Sequence, residues 1–374
     1  MEKQINHKLY YYGGFWTIVG TALISHTVLT IPPALLIIGI TSLLALILVA
    51  CGNTRIPVYA LITIPFMLYL SVTQPFTSAS LRNIVGPIAG AFFFPVVLYY
   101  INRLSKKQIL TIVHYFITIS IIALTFETLY RYIFPPPELV ERALWATENN
   151  FYMYKMRSLM YSCSNGAAIH MVIILFFTYY WSEYSNKNYK FAKFFLFLII
   201  ALTLSRTAWL GTIVGIIYVK FLRNKSTVYW ITSGIMVLML MTLTFFSFIY
   251  TIIKDDGSFL SKFEIANSVI EYYKSTFTFK DIFFGVGIYN SDEVLSVGLA
   301  AHSFLIQLSI ETGFVSLALF ILMLFQMGYY SNWKISIILV PFFITTLSAT
   351  LSFMPCFYVA IALMCFAEKT LINK

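Results

Sequence analysis

Long apolar runs alternate with short polar connections along this chain, and the runs exceed strand length several-fold. They lie near 13–32, 34–50, 56–73, 84–101, 108–134, 164–181, 190–204, 207–222, 228–253, 302–328, 333–350 and 353–369. Most approach the ~20 residues that carry a helix through ~30 Å of hydrocarbon. Backbone polar groups at that depth are satisfied inside helices. The pattern predicts an all-α, polytopic integral membrane protein of about twelve transmembrane helices, one transmembrane domain over residues 1–374. Two interruptions stand out, about 134–163 and 254–301, each too small for an independent core.

Composition agrees, with 59% hydrophobic and 11% charged residues leaving no stretch for a hidden soluble domain. Lys3 and Lys8 precede the first span and no convincing cleavage site follows, which reads as an uncleaved anchor. With the N-terminus inside, fifteen of the 25 basic residues and three of the 15 acids fall on inner segments. The positive-inside bias is met at every short loop, both long interruptions lie outside, and the C-terminus lies inside. The net charge of +10 is thus accounted for by topology, and nucleic acid is not an expected partner. Cys51, Cys163, Cys356 and Cys365 lack metal-ligand spacing and read as small apolar side chains.

Charge also shapes the apolar stretch Phe194–Leu222, which holds a lone Arg206. Lys187, Lys190 and Lys193 precede it and Lys220, Arg223 and Lys225 follow. A single tilted helix with a snorkelling arginine is one solution. Two short passes keep both basic clusters inside and place Arg206 at the outer turn, although no Gly or Pro marks that turn. Each pass is then shorter than the ~30 Å hydrocarbon layer, so Arg206 is expected in a recess. Because an intramembrane arginine is costly unless it meets an interface, a cavity or an anion, Arg206 is the first candidate for chemistry.

The outer segments supply the other candidates. Glu127 and Arg131, spaced i, i+4, read as a structural salt bridge near the interface. Pro135, Pro136 and Pro137 stop the fifth helix. Glu138, Glu141, Arg142 and Trp145 suggest an interfacial helix, with Trp145, Tyr152, Tyr154 and Tyr161 as an aromatic belt. Arg157 precedes a run of small and hydroxylated residues, Ser162 to Ala168, that allows close helix approach; it is a substrate-binding candidate or an interfacial anchor. In the second outer segment Phe263, Ala266, Val269, Ile270 and Tyr273 recur at helical spacing, with Lys262, Glu264, Glu271 and Lys274 on the solvated face. Gly285-Val286-Gly287 suggests a tight turn. His302 sits where water meets hydrocarbon and can exchange protons near neutral pH, or can serve as a cap. Glu311, roughly 13 Å deeper at helical rise, is a structural partner or part of a reaction pocket.

These residues together resemble a known family. Ser205-Arg206-Thr207-Ala208-Trp209-Leu210-Gly211 is similar to the Ser-Arg-Gly/Thr-Ala-Trp-Leu signature of the bacterial O-antigen polymerase and ligase (Wzy and WaaL) superfamily. Gly285-Val286-Gly287, His302-Ser303-Phe304-Leu305-Ile306-Gln307 and Glu311-Thr312-Gly313 extend the likeness, which covers about residues 155 to 325. The resemblance implies twelve or so helices in the bacterial inner membrane, both termini cytoplasmic, and a pocket facing the periplasm. It further implies metal-independent, cofactor-free glycosyl transfer from undecaprenyl-pyrophosphate-linked oligosaccharide. On this reading Arg206 engages the donor pyrophosphate, His302 assists the acceptor hydroxyl, and Arg157, Lys262 and Glu311 bind substrate. Lys262 stands where many members carry arginine, which weakens a second bidentate phosphate clamp. The acceptor is another lipid-linked repeat unit in a polymerase and lipid A-core in a ligase. The short, Phe- and Tyr-rich chain favours the polymerase, for which a chain-length regulator is a possible partner. A lipid-linked oligosaccharide flippase is the reading from another class; paired halves with midplane sites would mark it, whereas here the charges gather at one end.

Overall fold

A computed structural model describes residues 2–23, 33–51, 56–135, 154–155, 158–161, 164–223, 257–296, 303–348 and 354–372. These residues form fourteen α-helices and no strand. In order they are α1 (Glu2–Val19), α2 (Pro33–Ala50), α3 (Ile64–Thr73), α4 (Leu81–Ile101), α5 (Lys106–Ile133), α6 (Ser164–Ser185) and α7 (Lys190–Ala201). There follow α8 (Arg206–Ile217), α9 (Gly257–Glu271), α10 (Phe279–Phe283), α11 (Ser291–Val294), α12 (Phe304–Tyr330), α13 (Ser336–Thr345) and α14 (Pro355–Ile372). Among the described residues, five stretches are long and apolar enough to span a membrane: α2, Val58–Phe76 around α3, α4, α5 and α12. The expected span 228–253 and the interfacial helix around 138–145 lie outside the described residues, as do Trp145 and Tyr152.

The core forms around α6 and α14. Ala167 to Phe177 and Cys356 to Ala367 are buried without interruption, as an all-round apolar helix must be. α14 packs on α4, α6 and α12, while α6 packs on α7, α8 and α13. Cys356 and Cys365 are buried free thiols within α14. The small residues that open α6 allow close approach, since a Cβ on Gly166 would lie 3.0 Å from the Tyr161 side chain.

Local chemistry sets several helix ends. Ser105 starts α5 with a capping box in which Gln108 reaches back to the Ser105 amide at 3.0 Å. Two boundaries differ from the hydrophobic pattern. α1 begins at Glu2, eleven residues before the apolar run, because the polar segment Glu2–Tyr12 continues as a helix whose Tyr10 packs against Tyr99 of α4 at 6.1 Å between rings. α13 spans only Ser336–Thr345 of the apolar run 333–350 and passes into a 3₁₀ turn at Thr346–Ser348.

The first outer segment also departs from expectation. Tyr161 is buried, not part of an interfacial belt, and its hydroxyl meets His170 Nδ1 at 2.6 Å. Glu127 and Arg131 form their salt bridge at 3.4 Å, yet both are fully buried. Glu127 also accepts hydrogen bonds from Ser158 Oγ (2.6 Å), Leu159 N (2.9 Å) and Met160 N (3.0 Å). One carboxylate therefore anchors the 158–161 segment to α5.

Candidate active site

The stretch around Arg206 folds as two helices joined by a turn. α7 and α8 have 12 residues each, roughly 18 Å at helical rise, before the π-helical residues Tyr218–Leu222 extend α8. Their direction follows from contacts at one end of α6. Lys193, near the start of α7, places its ammonium 4.5 Å from the Tyr179 ring. Arg223, just past α8, pairs with Glu183 at 2.9 Å. The chain thus leaves and returns to the same end, and both basic clusters share it. At the other end Tyr132, in the last turn of α5, donates to the Leu202 carbonyl at 2.9 Å. The hairpin expected from charge placement is the one formed.

The turn forms without glycine or proline. Leu204 takes φ +56°, a left-handed conformation that costs a side-chain-bearing residue roughly 1–2 kcal/mol. Side chains reinforce the turn at carbonyls that backbone amides also engage, Ile200 O with Thr203 N at 3.1 Å and Ala201 O with Leu204 N at 3.3 Å. Thr203 Oγ1 donates to Ile200 O at 2.7 Å, and the Trp209 indole N–H reaches Ala201 O at 3.2 Å and Ile200 O at 3.3 Å. Ser205 then supplies the extended N-cap residue before α8.

The signature Ser205–Gly211 now divides by role. Ala208 is fully buried and Trp209 caps the preceding helix. Gly211 lies where a Cβ would sit 2.3 Å from Thr345 Oγ1 and 2.8 Å from the Pro341 carbonyl, so glycine is what lets α13 pack on α8. Arg206, the one charged member, is exposed at the first residue of α8, beside the positive end of that helix. A guanidinium with helix-terminal amides is an arrangement suited to phosphate oxygens.

A second constellation joins motifs that are distant in sequence. α12 is broken at Gly313, with φ +84° and ψ +164°, two residues after Glu311. The break removes the helical partners of nearby carbonyls, and the outer loop supplies substitutes: Val286 N donates to Ile310 O at 3.0 Å and Gly287 N to Glu311 O at 2.9 Å. Gly285, at φ +66°, has no room for a side chain, since its Cβ would lie 2.4 Å from the Glu311 carbonyl. The buried Glu311 carboxylate accepts from Ser291 Oγ and Gln307 Nε2, both at 2.8 Å, and from the Tyr289 and Ser291 amides. From the α3–α4 corner, Gln74 clasps the loop through Phe284 O at 3.0 Å and Ile288 N at 3.2 Å. Ser78 donates to Val286 O at 3.1 Å, and Tyr69 donates to Phe283 O. A small cleft between this loop, Pro87 and α12 is lined by Tyr289, Phe304, Gln307 and Glu311.

α13 touches both constellations, with Pro341 and Thr345 against Gly211 and Phe342 against Phe304 at 6.0 Å between rings. Phe304 lies two residues after His302. His302 itself and Arg157 lie outside the described residues, as does the side chain of Lys262, whose position falls in α9. That helix forms as expected with a rotated face: Ile265, Ser268, Val269 and Tyr272 are buried, whereas Ala266 and Ile270 are exposed. Tyr132, Gln74 and Ser291 were not among the sequence candidates, whereas the roles of Trp209, Gly211, Val286 and Gly287 fall within motifs already singled out.

The fold and site define a helical membrane protein with a cationic hairpin tip and a loop clasped to a broken helix. Residues 191–321, from α7 into α12, match the model of the O-antigen ligase family (Wzy_C). Comparison with curated proteins gives no match.

Proposed function

We propose that the protein is an O-antigen polymerase that joins undecaprenyl-pyrophosphate-linked repeat units by metal-independent glycosyl transfer at the periplasmic face of the bacterial inner membrane. The observation that carries this reading is Arg206, exposed at the tip of a short hairpin inside the matched domain. Glycosyl transfer from pyrophosphate builds negative charge on the leaving oxygen, and a cation held beside that oxygen lowers the barrier. His302 orients or deprotonates the acceptor hydroxyl. Arg157 and Lys262 bind donor phosphate or sugar, and Glu311 acts by shaping the loop that borders the site. In this orientation the lysine-rich end of the bundle and both termini face the cytoplasm. A chain-length regulator is the proposed protein partner.

The match to the O-antigen ligase family favours a second reading, transfer of the finished glycan to lipid A-core by a ligase. The lipopolysaccharide banding of a null strain separates them. Core capped by one repeat unit supports the polymerase, and bare core with polymer retained on the polyprenyl carrier supports the ligase. An unaltered ladder would overturn glycosyl transfer altogether. Complementation with Arg206→Ala or His302→Ala at equal membrane level should fail to restore the ladder.

A further inference from the structure

At the end of the bundle opposite Arg206, the first turn of α5 separates two cavities. One, of about 190 Å³, lies between α5 and the last turns of α6 and α14; Leu104, Ile109 and Phe366 give it apolar walls, with Lys106 and Tyr184 beside them. The Lys106 ammonium lies 5.8 Å from the Tyr184 ring. The other, of about 320 Å³, lies between α1 and α5 and is lined by Lys8, Tyr11, Tyr12, Lys107 and Gln108. Adjacent lysines, Lys106 and Lys107, thus serve one cavity each.

Among the described residues, no carboxylate neutralises the lysines of these cavities: none lines either cavity and none pairs with Lys8, Lys106 or Lys107. Of the acids on this end, Glu183 pairs with Arg223 and Glu368 with Tyr180 and Asn332, while the side chain of Glu2 lies outside the described residues. Below the second cavity an apolar track continues along both helices. Phe15 of α1 meets Tyr115 of α5 at 5.8 Å, and Trp16, Tyr115 and Ile122 are exposed beside that contact. Cations at the rim, phenolic and amide hydrogen-bonding groups next to them, and an exposed apolar track leading away match a molecule with a charged head and a hydrocarbon tail.

We propose that the cavities flanking the first turn of α5 seat the phosphodiester headgroup of an anionic glycerophospholipid, with an acyl chain along the α1–α5 track. The apolar track is what selects lipid over a free phosphate. Near a bilayer surface one basic residue contributes about a fivefold preference for anionic lipid, so two together contribute about 25-fold.

The test is native mass spectrometry of the full chain in detergent, titrated with phosphatidylglycerol or phosphatidylcholine of identical acyl chains. Wild type should retain phosphatidylglycerol preferentially. K106Q/K107Q should lose that preference by roughly an order of magnitude or more, K106R/K107R should keep it, and K274Q, in the other half of the molecule, should match wild type. Equal retention of the two lipids, or an unchanged preference in K106Q/K107Q, would overturn the proposal. Displacement by water-soluble glycerophosphate at the same concentration would overturn the lipid assignment in favour of a free anion.

Discussion

Substitutions at Glu127 and Arg131 should be unequal despite the salt bridge between them. Arg131→Met removes the partner at 3.4 Å but leaves the carboxylate with Ser158 Oγ, Leu159 N and Met160 N at 2.6–3.0 Å. A carboxylate so supplied with donors tolerates the loss, and the expected cost is about 1–2 kcal/mol. Glu127→Met leaves a fully buried guanidinium without its counter-charge, in contact with the Tyr154 carbonyl and Thr128 Oγ1 at 3.5 Å, and loss of a buried counter-charge costs about 3–5 kcal/mol. It also strands two backbone amides and a hydroxyl, each worth about 1–3 kcal/mol before relaxation, so the total should exceed about 4 kcal/mol. Glu127→Gln keeps one acceptor oxygen and should fall between, near 2–3 kcal/mol. Unfolding of the purified chain by graded denaturing detergent, followed by helical circular dichroism, measures the order. If Arg131→Met costs as much as Glu127→Met, the carboxylate is not the anchor of the 158–161 segment and the reasoning fails.

The turn that presents Arg206 gives a second series: Tyr132→Phe loses the bond to Leu202 O but keeps the 4.7 Å stack on Tyr154, and should cost about 1 kcal/mol, with Tyr132→Ala costing more in the same unfolding assay. Gly285→Ala combines left-handed strain with a Cβ 2.4 Å from the Glu311 carbonyl, and should destabilise by about 2–4 kcal/mol, visible as loss of folded protein on size exclusion. Glu311→Leu should lower folded yield more than Glu311→Gln, since leucine leaves the Ser291 and Gln307 donors without an acceptor; equal yields would remove Glu311 from the clasp. Arg206→Ala should reduce polymer formation by roughly 10²–10³-fold with unchanged membrane level, and Arg206→Lys should recover only part, because an ammonium cannot bind phosphate in a bidentate fork.

The fold class and the hairpin were legible because their causes are local or additive. Apolar length marks helices, and the placement of Lys193 and Arg223 on either side of Arg206 favoured a return to one end over a single tilted helix. The turn itself was not legible, because the usual glycine is replaced by Leu204 in a left-handed conformation supported by Tyr132 and Trp209, one of them 72 residues away in the chain. The face of α9 was misjudged by one residue because two helical rows, Ile265-Val269-Tyr272 and Ala266-Val269-Tyr273, share Val269, and only tertiary packing chooses between them. Glu311 was read with two alternatives for the same reason: its depth followed from helical rise, whereas its partners Ser291 and Gly287 come from a loop brought back by the break at Gly313.

The two constellations use opposite means to the same end. At the Arg206 turn, side chains add to the backbone bonds on the carbonyls that end α7 and Tyr132 engages the Leu202 carbonyl, so a rigid bend stands where sequence offers no flexible residue. At Gly313, the backbone of one segment takes up the carbonyls freed by another, and glycines give the room. Open carbonyls in a low-dielectric setting cost several kcal/mol each, so the break at Gly313 does not persist without the loop amides that engage Ile310 O and Glu311 O. Because α13 packs on Gly211 of the first and on Phe304 beside the second, a displacement of that helix acts on both. The exposed guanidinium of Arg206 is therefore held by structure that reaches from Tyr132 to Thr345, and the seven-residue signature is its local part, with Trp209 and Gly211 as the points where it is attached.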